Sequence, residues 1–502
     1  MFEFPNPNTN MEHVQSVIDF VRAWYWLPLL LLYVGIISPM LIENRNPAKT
    51  ISWVLVIVFL PALGLGLYYL FGQKYTRERR IKRVNGRQAV RLKKEWERLE
   101  PFMERDMKSI SERIGNLSRV YAFLKNERLS FPTLGNEAKL LINGEAKFAD
   151  LLNSLRNARH SIHMEYYIFE PDQIGLEILQ LLEAKAADGV PVRLLADSLG
   201  SSALVKHMRR KRNTKIMFRA FRPVTFASLA NSNYRNHRKI TVVDGKVGYI
   251  GGINIADRYI NDRPTGGNQV YWRDTAVRIC GPAVNMLQIS FWNAWNLADG
   301  QPFVLHDGYL QGAADGGGPG NAAVSLVASD PGSAGPYNME AILVAMGEAD
   351  RKIQLTTPYY VPSDELATAL KIAAASGITV ELMLPHRSDS YIVRHAGMSF
   401  VKPLLERGVR VYFYKKGFMH AKTVNIDGKV SFIGTVNLDT RSFFINYEAA
   451  AVISDERLCA QLERQFERDK RDCHLMTLKE WKKRKVWKRA VDSLCRLLAP
   501  LL

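Results

Sequence analysis

NHRKITVVDGKVGYIGGIN (residues 236–254) and MHAKTVNIDGKVSFIGTVN (residues 419–437) are two versions of one pattern. Each holds His-x-Lys-x4-Asp, with His237, Lys239 and Asp244 in the first and His420, Lys422 and Asp427 in the second. Each then runs through an apolar stretch to glycine and an asparagine, Asn254 or Asn437. One such triad could be chance. Two with matching flanks point to a duplication, and the surrounding sequence agrees. In the first half the pattern predicts a helix over 148–158, a strand over 161–169, a helix over 176–188 stopped by Gly189, and a strand over 190–197. The second half replays this order with a helix over 339–350, a strand over 352–361, a helix over 365–376 stopped by Gly377, and a strand over 378–385. The offset drifts from 191 (Ile162 to Ile353) through 188 (Gly189 to Gly377) to 183 (His237 to His420), as small insertions after a duplication produce. The fold class is therefore α/β: two repeated domains, 136–307 and 323–472, with mixed β-sheets flanked by helices. A glycine-rich stretch, 308–322, reads as a flexible linker or long surface loop, leaving the halves as separate units.

Histidine can serve as nucleophile or as general acid and base, because its pKa lies near working pH. Lysine supplies fixed positive charge for the non-bridging oxygens of a phosphoryl group. His-x-Lys on an extended segment puts both side chains on one face. Asn254, Asn437 and the glycine-flanked backbone are candidate donors to the same phosphate. Asp244 and Asp427 are each followed by glycine, a hairpin-turn signal, so a turn role stands beside a catalytic one. Two lysines already bring the charge a cation would supply, so neither metal nor cofactor is expected. His160, His207, His386, His395 and His474 lack the repeated context and read as surface or packing residues.

Hydrophobic content of 47% and charged content of 23% exclude wholesale disorder. A formal charge of +19 implies an anionic partner, nucleic acid or an acidic membrane. Four cysteines without metal-type pairing suit a reducing compartment. Residues 23–42 and 51–72 carry no charge and each match the roughly 20 residues needed to cross a bilayer, which predicts a two-helix transmembrane hairpin behind a cytosolic segment, 1–22. A basic juxtamembrane region, 73–135, follows; ten Lys and Arg stand against one acid between residues 74 and 94, placing that side in the cytoplasm. Residues 473–502 form a basic amphipathic tail, either an interfacial helix or one packed on the domain. The charge lies beside the spans and in the tail, which favours a membrane over nucleic acid.

HxK-x4-D followed by GG-x-N or GT-x-N, twice per chain, resembles the phospholipase D superfamily over about residues 140–455. The hairpin sequences NRNPAKTISW and LPALGLGLYYLFG, with MEYYIF, WRDTAVRICGP and GTVNLDTRSF, are similar to bacterial cardiolipin synthases. The resemblance implies two α/β domains about a pseudo-twofold axis, one active site between them, and ping-pong chemistry through a phosphohistidine. It implies His237 as nucleophile and His420 as the acid for departing glycerol, then base for the incoming alcohol; the symmetry of the two stretches alone leaves the nucleophile open. It further implies that a carboxylate downstream of each motif, Asp274 in WRDT and Glu448 in NYEA, orients that motif's histidine. The expected activity is transfer of a phosphatidyl group between two molecules of phosphatidylglycerol, giving cardiolipin, at the bacterial cytoplasmic membrane. Hydrolysis to phosphatidic acid, non-catalytic binding of anionic lipid and, third, nuclease activity are the alternatives.

Overall fold

A computed structural model describes residues 16, 19, 22–24, 26–42, 47–68, 104–211, 213–222, 233–262, 270–298, 303–312 and 318–499. The chain divides into two units, Met1–Lys74 and Tyr75–Leu502.

In the first unit, helices Trp26–Ile42, Pro47–Phe59 and Pro61–Leu67 pack around Met40, Ile57 and Tyr68. Among the described residues no helix is long and apolar enough to cross a membrane. This corrects the expected transmembrane hairpin. The 51–72 stretch is not one helix but is broken at Leu60, whose extended ψ of 68° precedes Pro61. Proline has no N–H to continue the helical ladder and crowds the residue before it out of helical conformation. Residues 69–72 of that stretch, like most of 1–22 and 73–103 of the basic region, lie outside the described residues.

In the second unit both repeats share one fifteen-stranded mixed sheet rather than standing as separate units. Its centre is the antiparallel contact of Thr133–Ile142 with Ala322–Ser329. Outward on one side come Thr275–Cys280, Val247–Gly251, Lys239–Val243, Ile162–Tyr166, Val192–Asp197 and Met217–Phe221. Outward on the other come Glu448–Ser454, Val430–Gly434, Thr423–Ile426, Lys352–Thr356, Thr379–Pro385 and Arg410–Tyr414. The two lists match strand for strand, so the sheet itself carries the pseudo-twofold relation. Cys473–Met476, the start of the tail, adds one more strand at the edge of the second repeat by pairing with Arg410–Tyr414. The described part of 308–322 is docked as well: Tyr309 is buried beside Phe303 and His163.

Local chemistry sets the elements alike in both halves. Helices Gln173–Ala187 and Asp364–Ala375 start on side-chain caps, Asp172 accepting from Gly175 N–H and Ser363 from Leu366 N–H. Both stop before a glycine at positive φ, Gly189 (90°) and Gly377 (93°), a conformation that costs glycine no Cβ clash. Each helix is followed by a parallel strand whose buried face feeds the core, Val192–Asp197 or Thr379–Pro385.

Candidate active site

The sheet brings His237, Lys239, His420 and Lys422 into one electrostatic cluster. Lys239 opens its strand and Lys422 stands one residue before Thr423–Ile426; each Nζ donates to the carbonyl of the histidine two residues back, at 2.6 Å in both repeats. Both lysines are buried. Burial pushes Lys239 down to about 7, with Lys422 adding to the fall and Glu448 and Asp274 opposing it. Lys422 is held down to about 8 by burial, against the pull of Asp274, Glu448, Asp439 and Asp389. Two dehydrated ammonium groups this placed gain from an oxyanion between them.

The carboxylates are crossed. His237 Nδ1 lies 2.9 and 3.0 Å from the two oxygens of Glu448, and His420 Nδ1 lies 2.7 Å from Asp274 Oδ2. Each histidine is thus oriented by the other repeat's carboxylate, not by the one downstream of its own motif, which corrects the expectation from the resemblance. Strand pairing between the repeats explains it. His237 N–H donates to Tyr447 O and Tyr447 N–H to Arg235 O, so residue 448 arrives beside His237. Gly417–Met419 pairs in parallel with Tyr271–Arg273 and His420 N–H donates to Arg273 O, so residue 274 arrives beside His420.

Opposite an ionised carboxylate, a neutral imidazole carries its proton on Nδ1 and presents the Nε2 lone pair to substrate. The resting rings are neutral. Burial pushes His237 down to about 4, the two lysines adding and Glu448 partly offsetting; burial and Lys422 push His420 to about 3 against Asp274. Glu448 is held below the usual carboxylate range, because His237, Lys239 and the Thr435 hydroxyl outweigh its burial. It also accepts from Ser442 Oγ and Asn446 Nδ2, each at 3.1 Å. Asp274 accepts from Thr275 N–H at 2.7 Å and sits against Gly252, where a Cβ would fall on its Oδ1.

Asp244 and Asp427 lie past the far ends of the strands from the histidines. Their carboxylates take the backbone N–H groups of residues 159–161 and 350–352 respectively, at 2.6–3.1 Å. Both have φ of 55° and are followed by Gly245 (64°) and Gly428 (68°), the left-handed pair a type I′ turn requires. Their described bonds clamp the entry to the neighbouring strand of each repeat. Asn254 is similarly engaged, accepting from Ile168 N–H at 3.1 Å and donating to the Tyr259 hydroxyl at 2.7 Å. Asn437 differs: its Oδ1 is buried with no hydrogen-bond partner among the described residues.

Several neighbours escaped the sequence reading. Tyr167 stands edge-on to His237 with centroids 5.0 Å apart. Trp272, Phe418 and Tyr259 surround His420 at 5.4, 5.7 and 5.8 Å. Tyr167 belongs to MEYYIF and Trp272 to WRDT, so proximity to recognised motifs was the available signal. Among the described residues no group of three or more His, Cys, Asp or Glu is arranged to hold a metal ion.

Comparison with known proteins agrees with this architecture. The family model "Cardiolipin synthase, PLD-like domain" matches residues 151–268 and 342–470, and "Phospholipase_D-nuclease N-terminal" matches 16–73. Cardiolipin synthase from Halalkalibacterium halodurans is 35% identical over 486 residues, covering 95% of this chain and 93% of the relative. Cardiolipin synthase from Alkalihalophilus pseudofirmus is also 35% identical, covering 94% and 92%. Cardiolipin synthase 1 from Bacillus anthracis is 36% identical, covering 93% and 92%. In fold, the crystal structure of phosphatidylserine synthase from Haemophilus influenzae superposes with a TM-score of 0.59 at 16% identity, covering 77% of this chain and all of that one. A duplicated, crossed His–Lys site on this fold and relatives at this identity over nearly the whole chain lead to one assignment: the chain belongs to the cardiolipin synthase family of phosphatidyltransferases, within the phospholipase D superfamily.

Proposed function

We propose that this chain makes cardiolipin by moving a phosphatidyl group from one phosphatidylglycerol to a hydroxyl of another, releasing glycerol. The observation that carries the proposal is the pair of neutral histidines, each aimed by a carboxylate of the opposite repeat, flanking two buried lysines. In the first step His237 Nε2 forms a bond to phosphorus while the bond from phosphorus to the glycerol oxygen breaks, and protonated His420 gives that oxygen its proton. Bound phosphodiester offsets the lysine charge that adds to burial in lowering the His420 pKa, which favours the proton it must carry. In the second step His420 takes the proton from the acceptor hydroxyl, the new oxygen–phosphorus bond forms, and the histidine–phosphorus bond breaks. Lys239 and Lys422 hold the non-bridging oxygens throughout. Asn437, with its unpaired carbonyl and its amide, is the asparagine assigned to the bound headgroup; Asn254, Asp244 and Asp427 position the backbone around it.

The first unit fits attachment to the bacterial cytoplasmic membrane, with the repeats on its cytoplasmic side. Leu30, Leu31, Val34, Leu41, Ile51, Leu55, Phe59 and Leu63 are all exposed, a surface suited to acyl chains. Thiol-reagent access to single cysteines placed before and after this unit in intact cells tests that topology. The reaction is tested with full-length protein and phosphatidylglycerol vesicles, following lipids by mass spectrometry. Cardiolipin with one glycerol per turnover supports transfer. Phosphatidic acid alone assigns hydrolysis, and unchanged lipid assigns binding without chemistry.

A further inference from the structure

The last helix, Val486–Arg496, leaves its largest apolar side chains facing outward. Helices of soluble domains bury their apolar stripe and expose their polar one. Here the docked residues are Asp492 and Cys495, with Val491 and Ala499 partly buried beside them, against helix Tyr391–Leu405. Asp492 is 2% exposed; its Oδ1 lies 2.6 Å from His395 Nδ1 and its Oδ2 2.7 Å from an Arg484 guanidinium nitrogen. The helix is thus pinned to the body by a buried ionic knot. Its opposite side carries Val486 (70% exposed), Trp487 (58%) and Leu494 (66%), continued by Leu497 (72%) and Leu498 (41%) in the turn that follows. At 100° per residue these five fall within one third of the helix circumference. Arg489 and Arg496 lie roughly 60° and 80° beyond one edge of that arc and Lys488 roughly 80° beyond the other, and all three are exposed.

We propose that this stripe is a lipid-docking surface that lays the tail in the headgroup layer of an anionic bilayer. An apolar arc holding a tryptophan, on a helix whose exposed flanks carry cations, matches such a layer in both chemistry and charge: acyl chains take the stripe, and anionic headgroups take Lys488, Arg489 and Arg496. A partner of the opposite description, apolar at its centre and acidic at its rim, is what an anionic lipid surface presents. The placement also serves the chemistry. The supporting helix begins two residues after Asp389, whose carboxylate takes the Tyr359 hydroxyl at 2.9 and 2.7 Å and adds to the field at Lys422. Tyr391 and Ile392, at that helix's first turn, are exposed as well. The docked tail therefore rests on an element that starts at the rim of the site.

The test uses full-length protein carrying C280S and C473S, with a nitroxide on Leu494→Cys, in vesicles of phosphatidylcholine alone or with phosphatidylglycerol. The label reads contact with lipid whether or not lipid turns over, so it is independent of the proposed reaction. In phosphatidylglycerol-containing vesicles the nitroxide should gain oxygen accessibility and lose accessibility to a water-soluble nickel chelate several-fold. Reversing Lys488, Arg489 and Arg496 to glutamate should undo that shift. A nitroxide that stays in water in both vesicles overturns the proposal, and equal immersion in both overturns its anionic part. Shielding from both reagents whatever the lipid assigns the stripe to a second copy of the chain and overturns it too.

Discussion

His237 and His420 occupy equivalent places in two copies of one fold, yet their supports differ. His237 faces a glutamate that holds it with both oxygens and is itself fed by Thr435, Ser442 and Asn446. His420 faces a shorter aspartate, held by one backbone N–H and pressed against Gly252. Gly252 and Thr435 are counterparts in the two motifs: one makes room for its carboxylate, the other donates to it. A ring that becomes covalently attached to phosphorus gains from a firm, multiply bonded carboxylate behind it. A ring that shuttles a proton twice per cycle gains from a simpler partner that does not trap its charge. The asymmetry thus supports the division of labour proposed above.

Replacing His237 by alanine attacks that division hardest. Phosphatidylglycerol turnover should fall by on the order of 10^4-fold or more, measured as glycerol release. His420→Ala should be equally inactive on phosphatidylglycerol but should still give a burst of nitrophenol from a phosphatidyl-nitrophenol donor, whose leaving group needs no proton. If His237→Ala keeps that burst and His420→Ala loses it, the roles are reversed. Next come the carboxylates: Glu448→Gln and Asp274→Asn should each cost on the order of 10^2–10^4-fold, the first by removing the burst and the second by sparing it. An Asp274→Asn chain without a burst breaks the crossed assignment. Smaller still is Gly252→Ala, which displaces Asp274 and should lower turnover by on the order of 10- to 100-fold. Thr435→Val, losing one hydrogen bond to Glu448, should cost no more than about tenfold.

The smallest effect is on stability. Both histidines sit below the ordinary imidazole pKa in the native state, so the unfolded chain takes up their protons first. Their contribution to stability is present above about pH 6.5 and is lost as pH falls toward 4 and then 3. A His237→Asn/His420→Asn double variant should show a shallower fall of the urea midpoint across that window. An unchanged slope excludes neutral resting histidines.

The residue types of the candidate site and the duplication were legible because they repeat at fixed spacing. The Asp-Gly pairs also spoke plainly, since a left-handed two-residue turn leaves a compositional mark. The crossing did not show, because it rests on three-residue strands, Tyr271–Arg273 against Gly417–Met419, and on a single bridge from Asn236 to Tyr447. Segments that short have no periodicity, and their partners lie in the other repeat. Pro61 was visible as a residue, but its breaking of the second apolar stretch depends on the backbone it meets. The amphipathic tail was equally visible; which of its faces the body takes depends on partners elsewhere in the chain, His395 against Asp492 and Ala396 against Cys495.

Crossing has a consequence for how the chain is born. Translation delivers the first repeat complete with His237 well before Glu448 leaves the ribosome. Until then the proposed nucleophile has no carboxylate to fix its tautomer or aim its ring, and Asp274 waits for a histidine not yet made. On the proposed roles a truncated or half-folded product is chemically silent toward the lipids around it, and reactivity switches on only when the last quarter of the sequence has closed the sheet.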